Sequence, residues 1–134
     1  MNEPIWIREI DAIHLHTQQI SLFGGSTGVR DLGLLQTALA RPLNLWVYSD
    51  LRPSLPKLAA TYASGISSNH PFLDGNKRTA MMVSFVFLDK NGLEVTATQE
   101  DAFHTVLALA AGEISEEQLA AWFERNTAAR NQAE

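Results

Sequence analysis

Along most of the chain, apolar and polar positions recur with a helical period. Between about Ile7 and Phe23, Ile10, Ile13, Thr17 and Ile20 recur at three-to-four spacing and stop at Gly24-Gly25. This predicts a helix with a glycine cap. Asp31 is placed to cap a second helix to about Leu39, with Pro42 just past its end. Residues 43–54 show no period and read as loop, with room for a short strand or hairpin. From Ser54, the stripe Leu55, Leu58, Ala59, Tyr62, Ala63 and Ile66 predicts a helix ending near Asn69. Thr79 to Leu88 is apolar almost all round, the pattern of a central helix, and it stops at Lys90-Asn91-Gly92.

Leu93 to Thr96 reads as a short extended stretch. Thr98 with Asp101, and Ser115 with Gln118, have the spacing of capping boxes, and Ile114 with Leu119 can form a hydrophobic staple. They predict helices over about 98–111 and 115–126, the last burying Leu119, Trp122 and Phe123. The expected fold is all-α, a single domain over 1–126 of about six or seven helices with at most a marginal β element. The tail 127–134 is expected to fray.

Composition supports a folded chain and narrows its partners. Of 134 residues, 46% are hydrophobic and 19% charged, enough to bury a core. Ten Lys+Arg against fifteen Asp+Glu give a formal net charge of -5, which argues against a general nucleic-acid binder. A small basic pocket on an acidic body would instead suit an anionic small molecule. No cysteine is present, so thiolate chemistry and Cys-ligated metal are excluded. The N-terminus lacks the pattern of a secretory signal, and no apolar run approaches the ~20 residues of a membrane span. A cytoplasmic location is expected.

The candidate chemistry lies in 69-NHPFLDGNKRTAMM-82. A helix that begins here presents unpaired backbone N–H groups and a partial positive charge to an anion. Gly75 permits a tight turn and close approach. Lys77 and Arg78 place two cations in the first turn, an unfavourable position unless an anion offsets them. Asp74 can balance one of these cations or hold Mg2+, an ion that takes one or two protein carboxylates and completes its shell with water and phosphate oxygens. His70, of the residue type that exchanges its proton near neutral pH, suits a general base. Pro71 and Phe72 read as the loop's anchor, and the Asn76 amide can fix the loop. The alternative is a polar turn with a solvated Lys-Arg pair.

Elsewhere, His14 and His16 lack the i, i+4 spacing of a helical metal pair and read as surface or half-buried residues. His104 reads as structural, and Arg30 with Asp31 as a salt-bridged or capping pair. Trp6, Trp46 and Tyr48 are either core anchors or an exposed partner groove.

His70, Phe72, Asp74, Gly75, Asn76, Lys77 and Arg78 together resemble the signature of the Fic/Doc family, without a mismatch. The resemblance extends through 24-GGSTGVRDLGLLQTALARP-42, 77-KRTAMMVSFVFLDKNG-92 and 111-AGEIS-115, and points to the death-on-curing (Doc) branch of toxins. It implies a compact helical fold. It also implies a toxin of a toxin-antitoxin pair that transfers the γ-phosphate of ATP, with Mg2+, to a Ser/Thr hydroxyl of a translation factor, with elongation factor Tu as the expected target. In that scheme His70 is the base, Asp74 holds Mg2+, and Lys77, Arg78 and the backbone at Gly75 and Asn76 bind the transferring group. Members that transfer AMP have Gly where this chain has Lys77, so protein adenylyltransfer is the second reading and a catalytically silent antitoxin-binding module the third. Residues 96-TATQED-101 have part of the family's inhibitory-helix spacing, but Asp101 stands where Gly or Asn is expected. No built-in inhibitor is therefore expected, and a cognate antitoxin would supply the block.

Overall fold

In the computed structural model, which describes residues 2–130, six helices and two short strands follow one another. Helix α1 (Glu9–Phe23) leads through a glycine-containing turn to α2 (Leu32–Tyr48), capped by the Asp31 carboxylate on the Leu34 N–H. Helix α3 (Leu55–Asn69) has Ser54 as its cap and Pro56 in its first turn, where the missing N–H costs nothing. The motif loop follows, then α4 (Asn76–Lys90), β1 (Leu93–Val95), α5 (Gln99–Ala110), α6 (Glu116–Arg125) and β2 (Thr127–Ala129). The all-α expectation holds, with the β element confined among the described residues to one small antiparallel pair.

Helices α3 and α4 share the centre of the fold. Helix α3 packs against α2, α4, α5 and α6, and buries ten of its fifteen residues, many of them small. Gly65 shows why size matters: a Cβ there would lie 3.2 Å from Ala38 Cα, so its absence lets α2 and α3 approach. The stripe read from the sequence is thus too narrow, because Ala60, Thr61, Gly65 and Ser67 beside it are buried as well. Tyr62 accepts a hydrogen bond from the Ile7 N–H at 3.0 Å and packs on Phe87, which fixes the segment before α1 to the core. Burial pushes the Tyr62 phenol up to about 12, against the weaker opposite effect of that hydrogen bond. Trp46 is buried, with Trp6 edge-on to it, whereas Tyr48 is exposed, so the three aromatics divide between core and surface.

Three sequence expectations change. Helix α2 does not stop near Leu39 but runs through a buried Pro42 to Tyr48, so most of the expected loop before Asp50 is helical. Burying Pro42 and Trp46 on one face outweighs the lost backbone hydrogen bond. Helix α1 begins at Glu9 and is phased differently: Ile10 is 52% exposed, while Ala12, His16, Gln19 and Ile20 face inward. Finally, Thr127–Ala129, read from the sequence as part of the tail, forms a strand paired with Leu93–Val95, and the Thr96 N–H donates to the Asn126 carbonyl. Residues 131–134 of the expected tail lie outside the described residues.

Candidate active site

The motif loop joins the two central helices, so the ends of α3 and α4 set its position. At the end of α3, His70 is exposed and takes a left-handed conformation (φ 48°), which costs a non-glycine residue on the order of 1 kcal/mol. Arg30 offsets this strain. Its Nε donates to the His70 carbonyl at 2.7 Å and its guanidinium to the Asn69 carbonyl at 2.9 Å, closing the open end of α3. Arg30 and Asp31 therefore cap different helices and do not form an ion pair with each other.

The loop itself is held on three sides. Segment 28–31 runs beside it: the Arg30 and Asp31 N–H groups donate to the Pro71 carbonyl, the Leu73 N–H to the Gly28 carbonyl, and Val29 bridges to Phe72. Within the loop, the buried Asn76 amide closes a reciprocal pair with Phe72, accepting from its N–H and donating to its carbonyl, both at 3.0 Å. Beneath it lies α1. The His16 ring stacks on Phe72, with centroids 4.0 Å apart and planes 5° apart, and its Nε2 lies 2.8 Å from the Asp74 carbonyl oxygen. Nothing in an apolar-only reading of α1 signals this. The period that joins Ala12, His16, Gln19 and Ile20 is equally helical, and becomes visible only if polar residues are allowed to face inward.

These supports leave α4 with an open N-terminus. Gly75 is left-handed (φ 71°), and the first backbone bond of the helix runs from the Thr79 N–H to the Gly75 carbonyl. The N–H groups of Asn76, Lys77 and Arg78 find no backbone or side-chain acceptor among the described residues. Around them a cavity of about 440 Å³ is lined by Phe23, His70, Asp74, Lys77, Arg78 and Phe103, with Gly24, Leu73, Gly75 and Asn76. The structure thus brings His70, Asp74, Gly75, Asn76, Lys77 and Arg78 to one cavity, with Pro71 and Phe72 buried behind it.

The two cations of the cavity, Lys77 and Arg78, are held without a carboxylate partner among the described residues. The Asp74 carboxylate instead accepts from the Ser26 N–H at 3.3 Å and the Gly75 N–H at 3.0 Å, and Gly25 allows this: a Cβ there would lie 2.7 Å from Asp74 Oδ2. Arg78 is placed by two aromatic rings, with its guanidinium carbon 3.7 Å from the Phe23 centroid and 4.3 Å from that of Phe103. Lys77 is exposed and also lines a neighbouring hollow against α5, beside His104. The exposed His104 is thus near the site's edge without lining the motif cavity.

The family model described as the Fic/DOC family matches residues 6–88, well over half of the chain. The chain belongs to the Fic/Doc family. The match spans α1 to Leu88 near the end of α4, and so covers every lining residue of the cavity except Phe103 of α5. The chain is 43% identical over 75 residues to "Toxin Doc" of Mycolicibacterium smegmatis, covering 56% of this chain and 58% of that protein. It is 37% identical over 105 residues to "Protein kinase doc" of Escherichia phage P1, covering 78% of this chain and 82% of that protein.

Proposed function

We propose that this Fic/Doc protein is the toxin of a toxin-antitoxin pair and an ATP-dependent protein kinase. Its acceptor is a Ser/Thr hydroxyl of a translation factor, elongation factor Tu in the reading carried over from the Doc branch. One observation carries the proposal: among the described residues, three N–H groups at the start of α4 without an acceptor and two cations without a carboxylate partner surround the same cavity as one carboxylate. Such a site suits a transferring phosphoryl group, whose catalysis is mainly positioning and charge stabilisation. The names of the two relatives support the toxin and kinase readings.

Each residue then has a part. His70, at the cavity wall, accepts the proton of the attacking hydroxyl. The N–H groups of Asn76, Lys77 and Arg78, with the Lys77 and Arg78 side chains, stabilise charge on the transferred group. Asn76 and Phe72 hold the loop in register. For Mg2+, the donor set fits an ion that keeps mostly water and phosphate ligands: Asp74 offers one carboxylate, and the described residues contain no group of three or more His, Cys, Asp or Glu able to cage a metal. Asp74 would hold such an ion, which when bound neutralises phosphate charge. No described helix is long and apolar enough to cross a membrane, and the partners this reading requires are the acceptor protein and a cognate antitoxin.

Incubation with elongation factor Tu and ATP labelled at either the γ or the α position tests the reaction. Label arriving from the γ-phosphate is expected. Label from the α-phosphate would replace the kinase reading with AMP transfer, the reading that Lys77 disfavours.

A further inference from the structure

Helix α1 turns a histidine into the protein, and the chemistry proposed above makes no use of it. His16 is 2% exposed, lies parallel to Phe72, and places Nε2 2.8 Å from the Asp74 carbonyl oxygen. A carbonyl oxygen can only accept, so the proton of this contact belongs to Nε2. The bond matters because of where Asp74 stands. Its carbonyl is the one that the Arg78 N–H, four residues on, would meet if α4 were extended by a residue. Instead that carbonyl is directed to α1, Gly75 takes a left-handed conformation, and the Arg78 N–H has no acceptor among the described residues. The same residue carries the carboxylate at the cavity wall, so one hydrogen bond fixes the backbone behind two parts of the site. Ile20, one turn further along α1, limits the same region: a Cβ on Gly75 would lie 3.0 Å from its Cδ1.

We propose that His16 is a positioning residue for group transfer. Its Nε2–H holds the Asp74 carbonyl against α1, keeps the N–H groups at the start of α4 open to the phosphoryl group, and sets the Asp74 carboxylate beside them. This rests on the reading that the cavity binds nucleotide phosphates, but not on which phosphate is transferred. Stacking on Phe72 sets the ring plane, and the N–H makes the contact.

Two substitutions separate ring from donor. His16→Phe keeps an aromatic ring against Phe72 and removes the donor, whereas His16→Gln removes the ring and keeps an N–H at similar reach. Transfer of label from ATP to the acceptor used for the wild type, and growth inhibition in cells without antitoxin, are the activity readouts. With His16→Phe, kcat is expected to fall on the order of 10- to 100-fold, the loss typical of a misplaced reacting group, with KM for the acceptor little changed. His16→Gln is expected to recover most of that loss. Wild-type kcat in His16→Phe, or equal losses in both variants, would overturn the proposal.

A third measurement needs neither turnover nor a variant. Nitrogen-15 NMR of the wild-type imidazole is expected to show a proton on Nε2, and its absence would overturn the proposal even if His16→Phe failed to fold. If the wild type transfers no label at all, the nucleotide reading fails on its own, and the NMR result still decides whether His16 holds the loop.

Discussion

Two groups of charged side chains in this molecule are close in size and opposite in design. In one, Glu116 of α6 accepts from Arg41 of α2 at 2.8 Å and from Lys57 and Thr61 of α3 at 2.8 and 3.1 Å. Every charge there has a partner. In the other, Lys77 and Arg78 stand at the positive end of α4 without a carboxylate partner among the described residues, and Asp74 is satisfied by backbone N–H groups instead. The first group ties three helices together. The second holds its charges in place but leaves them unneutralised, which is what a site for an anion requires.

The largest expected effect is at the proposed base. His70→Asn is the informative change, because Asn tolerates the left-handed backbone better than most residues and so removes the imidazole with little added strain. Transfer is expected to fall by on the order of 10²- to 10⁴-fold, with the thermal midpoint nearly unchanged. Turnover within a few fold of wild type would remove His70 from the chemistry.

The two charge groups should then respond in opposite ways. Asp74→Asn and Lys77→Ala are each expected to reduce transfer by about 100-fold or more while shifting stability by no more than about 0.5 kcal/mol. Lys77→Ala could even stabilise by a few tenths of a kcal/mol, since it removes a cation from a helix N-terminus. Glu116→Gln should instead cost on the order of 2 kcal/mol in denaturant unfolding and leave kcat unchanged, because it leaves Arg41 without a carboxylate partner among the described residues and Lys57 with only the exposed Glu117. If Glu116→Gln impaired transfer as strongly as Lys77→Ala, the contrast would fail.

Acid sharpens the same comparison. Burial raises the Glu116 carboxyl pKa, but hydrogen bonds from Lys57 and Arg41, with their charges, outweigh it and hold the carboxyl at about 2, below its ordinary 4.5. A depressed carboxyl pKa stabilises the fold fully above the ordinary value. That stabilisation is lost as pH falls from about 4.5 towards about 2. Wild type and Glu116→Gln should therefore converge in unfolding free energy across that window, as denaturant titrations at stepped pH would show. A constant gap would mean that the ion network contributes little.

The smallest effect concerns the rings around Arg78. Phe103→Leu leaves an apolar side chain but removes one face of the guanidinium stack, so a stability loss of about 0.5–1 kcal/mol and a several-fold loss of transfer are expected. The same stability loss in an Arg78→Ala background would show that the ring acts through packing alone.

Several elements could be read directly from the chain because the signal was local. Asp31, Thr98 and Ser115 cap the helices that their positions predict, and the stripe of α3 has the right period. The site residues were legible for a related reason: His70 to Arg78 form one continuous run, so a single loop carries them all. Pro42 misled because its local cost is real, and only the burial of α2 on α3 outweighs it. The strand Thr127–Ala129 could not be seen, since its partner lies more than thirty residues away and neither strand is a strand without the other.

The sequence by itself thus determined where most helices lie, three of their caps, and the continuous run of candidate site residues, since these depend on spacing along the chain. Tertiary structure alone decided which charges are neutralised, that Phe23 and Phe103 hold Arg78, that Arg30 closes the end of α3, and that His16 faces inward beneath the loop. The physical reason is distance. A cap or a stripe is settled within a few residues, but a partner 58 positions away, as Asp74 is from His16, is supplied only when the helices pack.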